Sequence, residues 1–325
     1  MIAHSRVEDA AEQAALVRAG DLRAVSRAMS IVERGGPEAE ALLAALGSPS
    51  PGARVVGITG TPGAGKSTAV SALIEAYRAG GTRVGAIMVD PSSPFTGGAF
   101  LGDRIRMQEH AMDPEVFIRS MGNHGDLGGI ARAVPHVVRV LSAAGCQRVL
   151  VETVGVGQAE IGVDALADTT VVLLTPNAGD AIQGAKAGIL EVADVIVVNK
   201  ADRDGAAETV RDLRYALSVT RALAGAWTPP ILTTVAVRGE GVGEVVAALD
   251  RHYAWAAESG QLEAKRRRRV AGEIEDLVVA AARAPLRTPA GIASLERAVD
   301  DVLAGRLDPH AAATGLLGDG WGKSG

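Results

Sequence analysis

The sequence predicts an α/β protein built on a mostly parallel sheet flanked by helices. Three observations carry that prediction. Seven short apolar, β-branched runs alternate with helical runs through the middle of the 325-residue chain. The runs are apolar along their whole length rather than at every second residue, as strands covered on both faces must be. The first of them leads straight into a glycine-rich turn, within "GITGTPGAGKSTAV", residues 57 to 70.

The elements follow in order. Residues 1–50 read as an N-terminal helical segment. In "GDLRAVSRAMSIVERGGPEAEALLAALG" Asp21 is placed to cap a helix, apolar residues recur at helical spacing, and "GGP" separates two helices. Residues 51–250 carry the strand candidates "RVVGIT", "RVGAIMV", "VFIRS", "RVLVET", "TVVLLT", "VIVVN" and "PILTTVAV". Residues 251–325 read as a C-terminal helical region. The stretch from "EGVGEVV" to "AAARAPL" is long enough for two helices or one long arm, and the terminal "GLLGDGWGKSG" is expected to fray.

Composition narrows the function. Hydrophobic residues make up 47% and charged residues 22% of the chain, and no apolar run approaches the roughly 20 residues a membrane helix needs. The opening "MIAHSRVEDAAEQAAL" lacks an apolar signal core, so a cytoplasmic, membrane-free protein is expected. The single cysteine, Cys146, excludes an internal disulfide framework and fits a reducing compartment. A net charge of −5 and 3% aromatic residues speak against nucleic acid as the main partner.

The glycine-rich turn has a chemical reading. Gly60, Thr61, Pro62, Gly63, Ala64, Gly65, Lys66 and Ser67 fit G-x-x-x-x-G-K-[ST], with Thr68 following at the start of a helical run. Glycines let backbone N–H groups converge on phosphate oxygens, and the helix N-terminus adds its dipole. Lys66 supplies a point charge to the β/γ phosphates, and the Ser67 hydroxyl suits Mg²⁺. "VIVVNKAD" then puts Asn199, Lys200 and Asp202 at a strand end in the N-K-x-D order. A carboxylate at Asp202 can accept from guanine N1–H and the exocyclic amine together; adenine would leave it unpaired. Lys200 can lay its stem along the base, and Asn199 can tie the loops together. The expected nucleotide is GTP or GDP.

Further along, "VLVETVGVGQ" places Glu152 and Gly155 in an E-x-x-G order at another strand end. Gly155 can direct a backbone N–H to the γ-phosphate, while Glu152 reaches Mg²⁺ directly or through water. Where Ras-like proteins carry a water-orienting glutamine, this chain has Val156, and Gln158 lies two residues further on. Slow intrinsic hydrolysis is therefore expected, with the water positioned by another group. Asp90, ending "VGAIMVD", and Asp103, in "TGGAFLGDRIRM", are further candidate oxygen ligands for Mg²⁺. The six histidines form no ligand pattern, His124 and His136 included.

Together "GTPGAGKST", "VDPSSPFTGGAFLGDRIRM", "ETVGVGQAE", "NAGDAIQGAKAGILEVADVIVVNKAD" and "AVRGEGV" resemble the MeaB/ArgK group of metallochaperone GTPases, which attend cobalamin-dependent acyl-CoA mutases. The resemblance covers about residues 57 to 243 and implies a P-loop GTPase fold with three switches. These are residues 90 to 107, the region after Glu152, and residues 179 to 189. It implies that Lys186 assists hydrolysis when the partner docks, and that the backbone of Val235, Ala236 and Val237 contacts guanine. The family more often has Ser-Ala at that loop, and "NAGD" departs from the commoner "PGxGD". The resemblance further implies a homodimer formed through the C-terminal helices. The "KRRRR" run at 265–269 is read as a solvated helical face rather than a nucleic-acid or lipid patch, because Glu273, Glu275 and Asp276 follow closely. Cobalamin is expected on the mutase, since the D-x-H-x-x-G fingerprint is absent here. The client stays open among methylmalonyl-, isobutyryl-, hydroxyisobutyryl- and ethylmalonyl-CoA mutases. The alternative is an ArgK-like kinase of an amino-acid transport system, which would need ATP.

Overall fold

The computed structural model describes residues 2–47, 52–91, 108–110, 112–123, 133–153, 159–176, 188–220 and 226–321. The N-terminal segment forms α1 (Ile2–Arg18), α2 (Leu22–Arg34) and α3 (Pro37–Leu46). Asp21 caps α2 as the sequence predicts, its Oδ1 accepting from the Ala24 N–H at 2.8 Å. Gly35 and Gly36 end that helix with positive φ, and Pro37 opens the next at its first turn. The buried stripe Ala24, Val25, Ala28, Met29, Ile31 and Val32 fixes the face that α2 turns inward.

Seven strands follow: β1 (Arg54–Gly60), β2 (Val84–Pro91), β3 (Val116–Asn123), β4 (Arg148–Thr153), β5 (Thr169–Leu174), β6 (Val195–Asn199) and β7 (Ile231–Thr234). They lie in the order β3-β2-β4-β1-β5-β6-β7, and every pairing is parallel. The helices between and after them are α4 (Lys66–Ala79), α5 (Val134–Ala143), α6 (Ala159–Leu166), α7 (Gly188–Glu191), α8 (Ala206–Thr220) and, following β7, α9 (Val242–Glu258). This is the doubly covered α/β architecture that the uniformly apolar runs predict. Along β1, Val55 joins the core under α1–α3 and α5, while Val56 and Ile58 join the core under α4 and α9. Val172, Leu174, Ile196 and Val198 pack with Leu213 and Leu217 of α8. Each fully buried Leu or Ile contributes about 1.5–3 kcal/mol, so both faces of the sheet are committed.

The last strand run stops earlier than its composition suggests. "PILTTVAV" is strand only as far as Thr234; Ala236–Arg238 is a 3₁₀ turn. Asn199 Oδ1 accepts from the Ala236 N–H at 3.1 Å, a bond that draws the chain away from the sheet.

The chain divides into two compact units, Met1–Leu262 and Glu263–Gly325. A left-handed Gly260 breaks the long helical stretch into α9 and α10 (Gln261–Arg283). The second unit adds α11 (Pro289–Leu303), capped by Thr288, and α12 (Pro309–Trp321). The glycine-rich end predicted to fray is helical as far as Trp321. Each interior glycine costs about 1 kcal/mol, but Asp308 caps the helix start through His310 and Ala311, and Ala312 is buried.

Candidate nucleotide site

The order of the strands places the site. β1 lies between β4 and β5, with β6 beyond β5, and the carboxyl ends of β1, β4 and β6 carry the turn at residues 60–67, Glu152 and the loop at residues 199–202. After β1 the chain turns through residues 60–65 into α4. Gly60 has φ 144°, and a Cβ there would stand 2.0 Å from the Leu173 carbonyl oxygen, so only glycine fits. Gly65 is left-handed at φ 86°, and no side chain caps α4. The first N–H groups of a 14-residue helix therefore face the loop, an arrangement suited to anions. Lys66 is buried, and its Nζ donates to the carbonyls of Gly60 at 3.0 Å and Thr61 at 3.3 Å. Ala64 N–H donates to Thr61 O at 3.1 Å, completing the turn. Pro62 lies within this turn, and Thr68 in the first turn of α4. The buried hydroxyls of Thr59, Thr61 and Thr153 find no hydrogen-bond partner among the described residues.

A second loop system meets this one through Asn199. Its Nδ2 donates to Ala64 O at 2.8 Å, and its Oδ1 accepts from Thr234 Oγ1 at 3.0 Å as well as from Ala236 N. One buried amide thus joins the phosphate-type loop to the loop after β7. Lys200 is the one non-glycine residue with positive φ among those described (58°), and its Nζ reaches Gly63 O at 2.8 Å. Such a conformation is costly and persists where surroundings impose it. Val235 and Ala236 are buried, while Val237 stands 78% exposed. Asp202 Oδ2 accepts from Arg238 Nη1 at 3.3 Å, and Arg238 Nε in turn donates to Glu240 Oε1 at 2.7 Å. Glu240 is the main cause of the raised Arg238 pKa. Neither Arg238 nor Glu240 stands out in the sequence; an arginine inside "AVRGEGV", beside the loop expected to contact guanine, is the available signal.

The third component is a hydroxyl beside a carboxylate. Ser67 Oγ donates to Glu152 Oε1 at 2.8 Å, both side chains being buried. β4 and α4 position this pair, with Glu152 in parallel register opposite Ile58 of β1. Hydroxyl and carboxylate are hard oxygen donors of the kind Mg²⁺ takes, and the ion usually keeps few protein ligands. Among the described residues no cluster of three His, Cys, Asp or Glu side chains assembles. The backbone of Asp90 lies near the end of β2, opposite Gly122, while its side chain, with Asp103, Gly155 and Lys186, lies outside the described residues.

With this geometry established, comparison with known proteins decides the family. A family model described as methylmalonyl Co-A mutase-associated GTPase MeaB matches residues 25–287. The chain belongs to the MeaB family. This MeaB-family chain is 44% identical over 303 residues to a putative GTPase of Pyrococcus horikoshii, covering 93% of this chain and 95% of that one. It is 42% identical to a probable GTPase of Mycobacterium tuberculosis, covering 82% of each. A mitochondrial methylmalonic aciduria type A homolog of Caenorhabditis elegans is 39% identical over 215 residues, or 65% of this chain and 54% of that one. Among solved structures, a LAO/AO transport system kinase superposes with a TM-score of 0.68 at 28% identity, covering 94% of this chain and 96% of that one. The MeaB-family chain is thus a P-loop GTPase, a fold that implies nucleotide binding, usually with Mg²⁺. Among the described residues no helix is long and apolar enough to cross a membrane.

Proposed function

We propose that this chain is a Mg²⁺-dependent GTPase that chaperones an adenosylcobalamin-dependent acyl-CoA mutase, coupling nucleotide state to cofactor delivery and protection. The observation that carries the reading is the Asn199 amide, which ties the Ala64 carbonyl to Ala236 and Thr234. It makes one body of a phosphate cradle and a base-reading loop. In this reading the loop N–H groups and the α4 N-terminus bind phosphate oxygens, and Lys66 exchanges the Gly60 and Thr61 carbonyls for the β/γ phosphates. Asp202 accepts from both guanine N–H groups; the Lys200 stem and the exposed Val237 side chain cover the base. Ser67 and Glu152 would hold Mg²⁺, with Asp90 and Asp103 as further donors. The ion neutralises charge on the β and γ phosphate oxygens when bound. Val156 cannot orient water, so Lys186 is assigned to assist hydrolysis once the partner docks.

The family description supports the partner, and the cobalamin is assigned to the mutase rather than to this chain. A homodimer is part of the same proposal, formed through the C-terminal unit. A second reading, a transport-system kinase, is favoured only by the likeness to the LAO/AO transport system kinase at 28% identity, and Asp202 speaks against its ATP requirement. The test is steady-state GTP and ATP hydrolysis by the purified chain, alone and with each candidate mutase. Slow GTP-selective turnover accelerated by one mutase supports the proposal and names the client. Equal use of ATP removes the base assignment, and GTP turnover indifferent to every mutase removes the partner.

A further inference from the structure

We propose that Arg238, held by Glu240, is a positioning residue that orients the Asp202 carboxylate and thereby sets part of the selectivity for guanine. The proposal rests on the guanine reading of Asp202 and adds residues outside the N-K-x-D motif. The loop after β7 is closed on itself: Val235 N–H donates to Glu240 O at 3.1 Å, and Arg238 N–H to Val235 O at 2.8 Å. A short antiparallel bridge between Val235 and Glu240 thus brings the Glu240 carboxylate back beside Arg238. The guanidinium fork is then divided. Its Nε meets Glu240 Oε1 at 2.7 Å and its Nη2 meets Glu240 Oε2 at 3.4 Å, which leaves Nη1 directed to Asp202 Oδ2 at 3.3 Å. Asp202 itself sits on a fixed backbone, since Ala201 N–H donates to Thr234 O at 3.0 Å.

A carboxylate oxygen has more than one acceptor direction. Asp202 Oδ2 can therefore take Arg238 from one side and a guanine N–H from another, so the arginine does not displace the base. What it removes is rotation. A lone aspartate about two-fifths exposed, like Asp202, samples several carboxylate orientations, and only one of them offers both oxygens to N1–H and the 2-amino group together. An arginine held at two points by a second acid is more ordered than a free side chain, which distinguishes this trio from an isolated surface pair.

The test is equilibrium binding of GDP, IDP and XDP to the full chain and to the variants R238A, E240A, D202A, R238A/D202A and D202N. Inosine lacks the 2-amino group, so the GDP-to-IDP affinity ratio reads the orientation of Asp202 rather than the integrity of the loop. R238A and E240A are each expected to weaken GDP by about three- to ten-fold and IDP by less, lowering the ratio. In the D202A background, R238A is expected to change neither. Equal losses for GDP and IDP would make Arg238 a loop support only, and tighter GDP binding by R238A would make it a competitor of the base; either result overturns the proposal. D202N is expected to turn preference towards XDP, because an amide can donate to the C2 carbonyl of xanthine. A D202N chain that does not turn removes the guanine reading and the proposal with it. A D202N chain that turns, beside an R238A chain with an unaltered ratio, removes the proposal alone.

Discussion

At the scale of the residue, three side chains carry the sharpest expectations. Lys66→Ala removes a buried cation placed over the loop carbonyls, and Mg·GTP affinity is expected to fall about a hundred-fold, judged from charged hydrogen bonds. Retained affinity in a calorimetric titration would remove the phosphate-loop assignment. Asn199→Ala strips three buried partners of their bonds and is expected to cost about 1–3 kcal/mol in denaturant unfolding, together with nucleotide affinity. A variant as stable as the parent would show that the two loops do not depend on that amide. Cys146 is buried, and burial pushes its thiol pKa up to about 12. It is expected to stay unlabelled by thiol reagents at neutral pH until the chain unfolds, and labelling at the rate of a free thiol would contradict its burial. The motif residues were legible because each type answers a chemical need at a fixed spacing. Arg238 was not, because its meaning depends on Asp202, 36 positions earlier.

At the scale of the element, ion pairs fasten the turn that leads into β3 to α4 and to the start of β2. Arg83 grips Glu115 with two bonds, at 2.7 and 2.8 Å, and Arg78 on α4 meets Asp113 at 2.8 Å. The arginines hold both carboxyls below their ordinary values of 4.5 and 3.8. A depressed carboxyl pKa stabilises the fold at pH values above the ordinary one, and that contribution is lost as pH falls through the folded value. The contribution of these two groups to thermal stability is thus expected to be constant with pH around neutrality and to decline below about pH 4.5. Arg83→Met should flatten that decline; a variant with the parent's acid profile would show the pair to be inconsequential. Strands were legible at this scale because apolar runs demand burial on both faces. The end of β7 was not, since a hydrogen bond from the Ala236 N–H to Asn199 Oδ1, in another strand, accompanies the end of an otherwise suitable run at Thr234.

At the scale of the whole molecule, the C-terminal unit leaves apolar side chains in solvent. Val270, Ile274, Leu277 and Val278 lie at helical spacing on α10, and Ile292, Leu295, Val299 and Leu303 on α11, all exposed. α11 has no buried residue at all. Apolar stripes left in solvent on two helices suit an interaction surface, and the proposed homodimer would cover them. Light scattering is expected to give a dimer for the parent chain and a monomer for Leu277→Asp/Leu295→Asp, with nucleotide binding retained. A parent chain that is monomeric at micromolar concentration would remove the dimer from the proposal.

Residue types and their spacing were enough to predict the parallel sheet and to mark the phosphate-type loop and the N-K-x-D motif, because burial and charge impose types that periodicity and spacing display. How those pieces meet is set by the closure of the chain. Sheet order put β1 between β4 and β5, bringing Ser67 within 2.8 Å of Glu152, and Asn199 joined loops 135 and 37 residues away. Such contacts follow from how the chain closes on itself, and no local pattern of residues encodes that.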